Sequence, residues 1–197
     1  MCMEKETLKR KSGFLERNML SSRKMRELRD LMKILVLSDS HSALRFMRRC
    51  MDAVQPDAVI HLGDHYDDGE ALAEEYPGIP FYRVPGNCDR YRCPPGTQEI
   101  RIERICGIDI YMTHGHRHHV KQYTGLLERD ARICRVQAVL YGHTHVPDCR
   151  QEEDGLWVLN PGSCGYGGGS AGLIEAEEKR IRQCRILREE DLEFMQG

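Results

Sequence analysis

From residue 32 onward, short apolar runs alternate with stretches whose apolar residues recur every three or four positions. The runs predict strands over 33–37, 58–62, 81–84, 100–105, 108–112, 138–141, 156–159, 171–175 and 180–187. The intervening periodicity predicts helices over 43–54, 69–76 and 123–134. Strand, helix, strand, helix in the first half is the βαβ signature, and strands crowd the second half. The expected fold class is therefore α/β, with mixed sheets, two of them packed face to face and helices outside. Residues 1–31 are polar and helix-prone, with a loose stripe of Leu15, Met19, Met25, Leu28 and Leu31. They read as a basic N-terminal tail, flexible or helical, ahead of one domain spanning 32–197.

Charge sharpens that division. Residues 1–31 carry nine Lys/Arg against five Asp/Glu, and the remainder carries 20 against 26. A mildly acidic body argues against long nucleic acid as the habitual partner, while a small phosphate ester remains compatible with it. No run approaches the roughly eighteen apolar residues of a membrane span. Nine scattered cysteines, with no signal-peptide core ahead of them, read as reduced thiols in a cytoplasm. A homo-oligomer is compatible with this reading. The glycine-rich stretch 165–172 lacks the spacing and following helix of a phosphate-binding loop and reads as a connection between strands.

The chemistry stands at the ends of the strands. "KILVLSDSH" closes on Asp39 and His41, "AVIHLGD" on Asp64, "FYRVPGN" on Asn87, "DIYMTHGH" on His114, and "AVLYGHTH" on His143 and His145. Singly, each is ordinary turn chemistry. Together, five strand ends present seven metal-ligating side chains, and in open α/β sheets such residues converge beyond the carboxyl ends of the strands.

The ordered set resembles the calcineurin-like metallophosphoesterases, whose signature runs Asp-x-His, Gly-Asp, Gly-Asn-His-Asp/Glu, His and Gly-His-x-His. The likeness covers residues 33 to about 187. The chain's small size, its "GNCD" and its "NPGS" at 160–163 are most similar to the compact YfcE-type phosphodiesterases. That resemblance implies a four-layer αββα sandwich. It implies two divalent ions, manganese first, with iron, zinc, nickel or cobalt as alternatives. Asp39, His41 and His145 would hold the first ion, Asp64 would bridge both, and Asn87, His114 and His143 would hold the second. Gly142 would permit the turn that aims His143 and His145.

The implied reaction is hydrolysis of a small phosphodiester by attack of a metal-bridging hydroxide, with ions roughly 3.5–4 Å apart. Asn87, His114, His116 and Asp64 are its catalytic candidates. One departure from the signature bears on this: Cys88 stands where the family has a histidine often assigned as general acid. His116 or His65 is the candidate replacement, against the plainer reading that His116, His118 and His119 are solvated in a loop. Asp89, beside Cys88, is expected to hold the loop carrying Asn87. The alternatives are a non-catalytic metal-binding scaffold of the same fold and, third, a nuclease acting on DNA ends.

Overall fold

The structure is a computed structural model and describes residues 31–195; the tail reading for residues 1–30 lies outside them. Ten strands form two five-stranded mixed sheets. The first has the order β10–β9–β1–β2–β3, built from β1 (Met32–Leu37), β2 (Ala58–His61), β3 (Phe81–Arg83), β9 (Ser170–Glu177) and β10 (Arg180–Arg188). The second has the order β4–β5–β6–β8–β7, from β4 (Ile100–Ile105), β5 (Ile108–Thr113), β6 (Ala138–Leu140), β7 (Asp148–Gln151) and β8 (Trp157–Asn160). Strands β1, β2 and β3 run parallel, as do β5, β6 and β8; β9, β10, β4 and β7 pair antiparallel with their neighbours.

The continuous apolar run in β1 follows from burial on both faces. Ile34 and Val36 join Ile60, Ile108, Ile110, Met112 and Leu140 in the layer between the sheets. Leu35 and Leu37 pack on the opposite face against α1 (Leu44–Val54) and α4 (Glu189–Phe194), through Met47, Cys50, Val54 and Leu192. Across the second sheet, Tyr111, Val139 and Val158 meet Leu127 and Ala131 of α3 (Gly125–Ile133). Helix, sheet, sheet, helix is the four-layer αββα sandwich expected. Among the described residues no helix is long and apolar enough to cross a membrane.

Three differences from the sequence reading have local causes. Helix α2 spans Tyr66–Glu75, starting a turn earlier than expected, because the Asp89 carboxylate accepts the N–H groups of His65 and Tyr66. Gly69 therefore lies inside the helix, where a Cβ would press on the His61 ring at 3.1 Å. Strand β7 and helix α4 carry no apolar periodicity. The first is the polar run "DCRQ" on a sheet edge, and the second buries only Leu192.

His61 ends β2 fully buried, with Nε2 3.1 Å from Ser40 Oγ and Nδ1 accepting the Gly63 N–H at 3.3 Å. The ring must be neutral to accept, and burial pushes its pKa down from 6.5 to about 4. The unfolded chain takes up the proton first, so stability present above pH 6.5 drains away as the pH falls toward 4. Urea unfolding in chelator is expected to show this group costing about 2–3 kcal/mol between about pH 7.5 and about pH 4.5. His61→Gln should flatten that part of the profile. An unchanged pH slope in the variant would show that His61 does not carry it.

Candidate metal centre

All seven candidate ligands leave the carboxyl ends of parallel strands: Asp39 and His41 after β1, Asp64 after β2, Asn87 after β3, His114 after β5, and His143 and His145 after β6. The two sheets bring these ends together. Asp39 donates its N–H to Gly63 O (2.9 Å), Ser40 to Asp64 O (3.2 Å), and Gly142 to His114 O (3.1 Å). Two groups result. Asp39, His41, Asp64 and His145 each bring a ligand atom within 4.8 Å of the others', as do Asp64, His114 and His143. Asp64 belongs to both. Asn87 reaches the second group, with Oδ1 3.2 Å from His114 Nε2.

Acceptors face acceptors in this cluster. Burial pushes His114 down to about 4, so its imidazole is neutral at pH 7; Nδ1–H points at Leu62 O, 2.8 Å away. Nε2 then turns a lone pair toward Asn87 Oδ1 and toward Asp64 Oδ1, 3.5 Å off. Asp39 is fully buried. Its Oδ2 accepts from Ser38 Oγ (2.6 Å) and the His143 N–H (3.0 Å). Its Oδ1 lies 3.1 Å from His145 Nε2 yet has no partner in hydrogen-bonding geometry. His41 Nε2 is likewise buried and unpartnered. Burial raises the Asp39 carboxyl to about 7. Burial also opposes ionisation of Asp64, but hydrogen bonding from Cys88, its N–H at 3.0 Å, favours the charged form, and the carboxyl lies below the usual range. Burial likewise lowers His41, His143 and His145. Neutral imidazoles and carboxylates with orphaned lone pairs are the donor set that divalent transition metals take, so the residues present fit such ions.

The backbone is bent to produce this convergence. Asp39, His41, Asp64, His143 and His145 sit at φ of 51°, 43°, 54°, 69° and 60°. Left-handed conformations of non-glycine residues cost roughly 1–3 kcal/mol each and persist where surroundings over-determine them. The role expected for Gly142 is corrected: it has no positive φ, and the turn is made by the two histidines. Gly142 is needed for space, because a Cβ there would collide with Ser38 Oγ and stand 2.7 Å from Asp39 Oδ2.

Neighbouring residues fall into distinct places. Asp89, fully buried, accepts four backbone N–H groups, from Asp64 (2.8 Å), His65 (2.8 Å), Tyr66 (2.9 Å) and Gly86 (2.7 Å). It thereby ties the Asn87 loop to the Asp64 turn. Cys88 is exposed; its thiol accepts from Asn87 Nδ2 at 3.3 Å, and burial of the sulfur and then Asp64 raise its pKa. His116 sits at the rim, its ring 5.6 Å from His114 and 6.1 Å from His143. Its Nδ1 is buried without a partner and its Nε2 lies 3.8 Å from Glu99. The solvated-loop reading fails for His118, which is buried in a 3-10 turn (His116–His118) with Nε2 3.2 Å from the Tyr111 hydroxyl. His119 is exposed. His65 packs edge-on to His41 at 5.0 Å.

Three residues were given no role by the sequence. Asn160 donates to Gly142 O (3.1 Å) and Thr144 Oγ1 (2.9 Å), and Ser163 Oγ donates to Asp39 O (2.7 Å), so "NPGS" braces both metal-facing loops. Tyr166 stacks on His145 at 5.2 Å and meets His41 edge-on at 5.0 Å. A single aromatic in a glycine run was its only signal.

Comparison with known proteins agrees with this geometry. Residues 32–178 match the model of the calcineurin-like phosphoesterase superfamily domain. A probable metallophosphoesterase of Mycoplasma pneumoniae is 32% identical over 134 residues, 66% of this chain and 78% of that protein. A Methanocaldococcus jannaschii phosphodiesterase is 29% identical over 169 residues, 77% of this chain and 98% of its own length. Among solved structures, a Streptococcus pneumoniae protein described as a predicted phosphoesterase superposes with TM-score 0.65 at 27% identity, covering 80% of this chain and 90% of its own. Vacuolar Protein Sorting 29 from Cryptosporidium parvum, 17% identical with TM-score 0.61 over 81% of this chain and 99% of its own, shares the fold.

Proposed function

The chain belongs to the calcineurin-like phosphoesterase superfamily, and from that premise we propose that it is a binuclear phosphodiesterase acting on small phosphodiesters in the cytoplasm. Asp39, His41, Asp64 and His145 hold one ion in this reading, and Asp64, Asn87, His114 and His143 the other. The single observation that carries it is the Asp64 carboxylate common to both ligand groups. Manganese is the first choice of ion. Bound there, two divalent ions supply Lewis-acid polarisation of the phosphoryl oxygens and an acidified water.

The chain's own residues do the rest. Asn87 stands at the edge of the second group, its amide placed to orient a non-bridging oxygen of the ester. His114 is fixed by the Leu62 carbonyl, so its Nε2 keeps one orientation. Cys88, a thiol at neutral pH, offers little as a proton donor. His116, held near Glu99 at the rim, is the group placed to give a proton to the departing oxygen.

The test uses chelator-stripped protein with manganese added back, assayed on an activated aryl phosphodiester beside the matching monoester. Manganese-dependent diester turnover is expected, with His143→Ala reducing it at least a hundredfold, since even outer partners of metal ligands are worth roughly 10–100-fold. His116→Ala should cost about 100-fold on an alkyl leaving group and little on the aryl one. Equal losses on both would remove His116 from the mechanism. No turnover with any divalent ion, despite two bound per chain, would favour the scaffold alternative.

A further inference from the structure

A cleft of about 650 Å³ opens beside the second ligand group, walled by residues drawn from the segment between Pro85 and Glu99 and by His116 and Arg117. Asn87 and His116 form its inner end and also face the metal centre, so whatever lies in the cleft is continuous with an ester held there. The volume falls within the 300–1,000 Å³ of small-molecule sites and far exceeds the need of one phosphate. We propose that this cleft receives the organic part of the diester and that this part is a nucleoside; the assignment rests on the phosphodiesterase reading above.

The walls carry the argument. Pro85, Pro94 and Pro95 with Gly86 and Gly96 line the cleft without polar side chains. Tyr91 stands at the cleft 89% exposed, the guanidinium of Arg90 5.4 Å from its ring centre. An open aromatic face backed by a cation is the platform on which bases stack with little regard to sequence. Both carboxylates in the wall are engaged, Asp89 by four backbone N–H groups and Glu99 by Arg117 and His116. Arg90 has no carboxylate partner among the described residues, so no ion pair competes with its place beside the Tyr91 ring. A sugar alone would want hydroxyl partners, and Thr97, the aliphatic hydroxyl in the wall, already donates to Pro94 O at 2.6 Å.

The platform is anchored. Asp89 pins the segment two residues before Tyr91, and Arg92, the residue after it, pairs with Asp67 at 2.6 Å. Tyr91 is thus displayed from a braced turn, which lowers the entropy lost when a ring stacks on it.

Calorimetry on manganese-loaded protein tests the assignment with three probes: inorganic phosphate, ribose 5-phosphate and adenosine 5′-monophosphate. The nucleotide is expected to bind about tenfold tighter than ribose 5-phosphate. Tyr91→Ala should erase most of that gap, and Arg90→Ala part of it, while phosphate binding stays unchanged in both. Equal affinity for the nucleotide and ribose 5-phosphate, or a gap that survives Tyr91→Ala, would overturn the nucleoside assignment and leave the metal centre standing. Failure of phosphate itself to bind would overturn the phosphodiesterase reading, and the cleft's assignment with it.

Discussion

Asp64→Asn is expected to lower manganese-dependent diester hydrolysis by about a thousandfold or more and to bring metal content below one ion per chain. The size follows from position. Asp64 belongs to both ligand groups, whereas each other candidate serves one. It is also one of only two carboxylates among the seven candidate ligands, so neutralising it removes half the anionic charge offered to two dications. Losing a mere outer partner costs roughly 10–100-fold, and a shared ligand must cost more. The amide keeps the shape of the side chain and its carbonyl still accepts the Cys88 N–H. Fold and chelator-treated stability should therefore be close to the parent's, which separates a lost ligand from a lost structure. Metal analysis of the purified variant checks this directly. Two ions retained per chain would refute the bridging role.

The largest effect on stability is expected at Asp89. Its carboxylate satisfies four backbone donors from two separate loops, in a position without solvent access. Hydrogen bonds to a charged group contribute about 1.5–3 kcal/mol each, and a stranded buried donor carries its full desolvation penalty. Asp89→Ala should therefore cost about 5 kcal/mol or more, enough to unfold much of a domain whose total stability is roughly 5–15 kcal/mol. Asp89→Asn, which keeps one acceptor, should cost about 2–3 kcal/mol and leave a folded protein for measurement. Urea unfolding of both variants distinguishes this from a plain turn residue, for which less than about 1 kcal/mol would be lost.

Most strands were legible because their residues are buried on both faces or alternate across one, and either pattern leaves a trace in the order of side chains. The seven candidate ligands were legible for a related reason: each follows such a strand, and parallel strands in two facing sheets end on the same side. What braces them was not. The bonds from Ser163 to Asp39 and from Asn160 to Gly142 span 124 and 18 residues, and no periodicity encodes them. Asp89 was expected to hold the Asn87 loop, but its tie to the Asp64 turn was not legible, because its four partners are backbone amides, which have no letter in the sequence. Strand β7 was invisible because an edge strand made of Asp148, Cys149, Arg150 and Gln151 is specified by its partner β8 rather than by its own residues. His118 stands in a loop of histidines and arginine that reads as solvated, and only the fold shows Tyr111 behind it.

The most direct test of the central claim is a manganese titration of chelator-stripped protein, following bound metal and aryl phosphodiester turnover in the same samples. Two ions per chain, with turnover rising only as the second loads, is the predicted result. Saturation at one ion, or full turnover before a second is bound, would contradict a centre built around a shared Asp64.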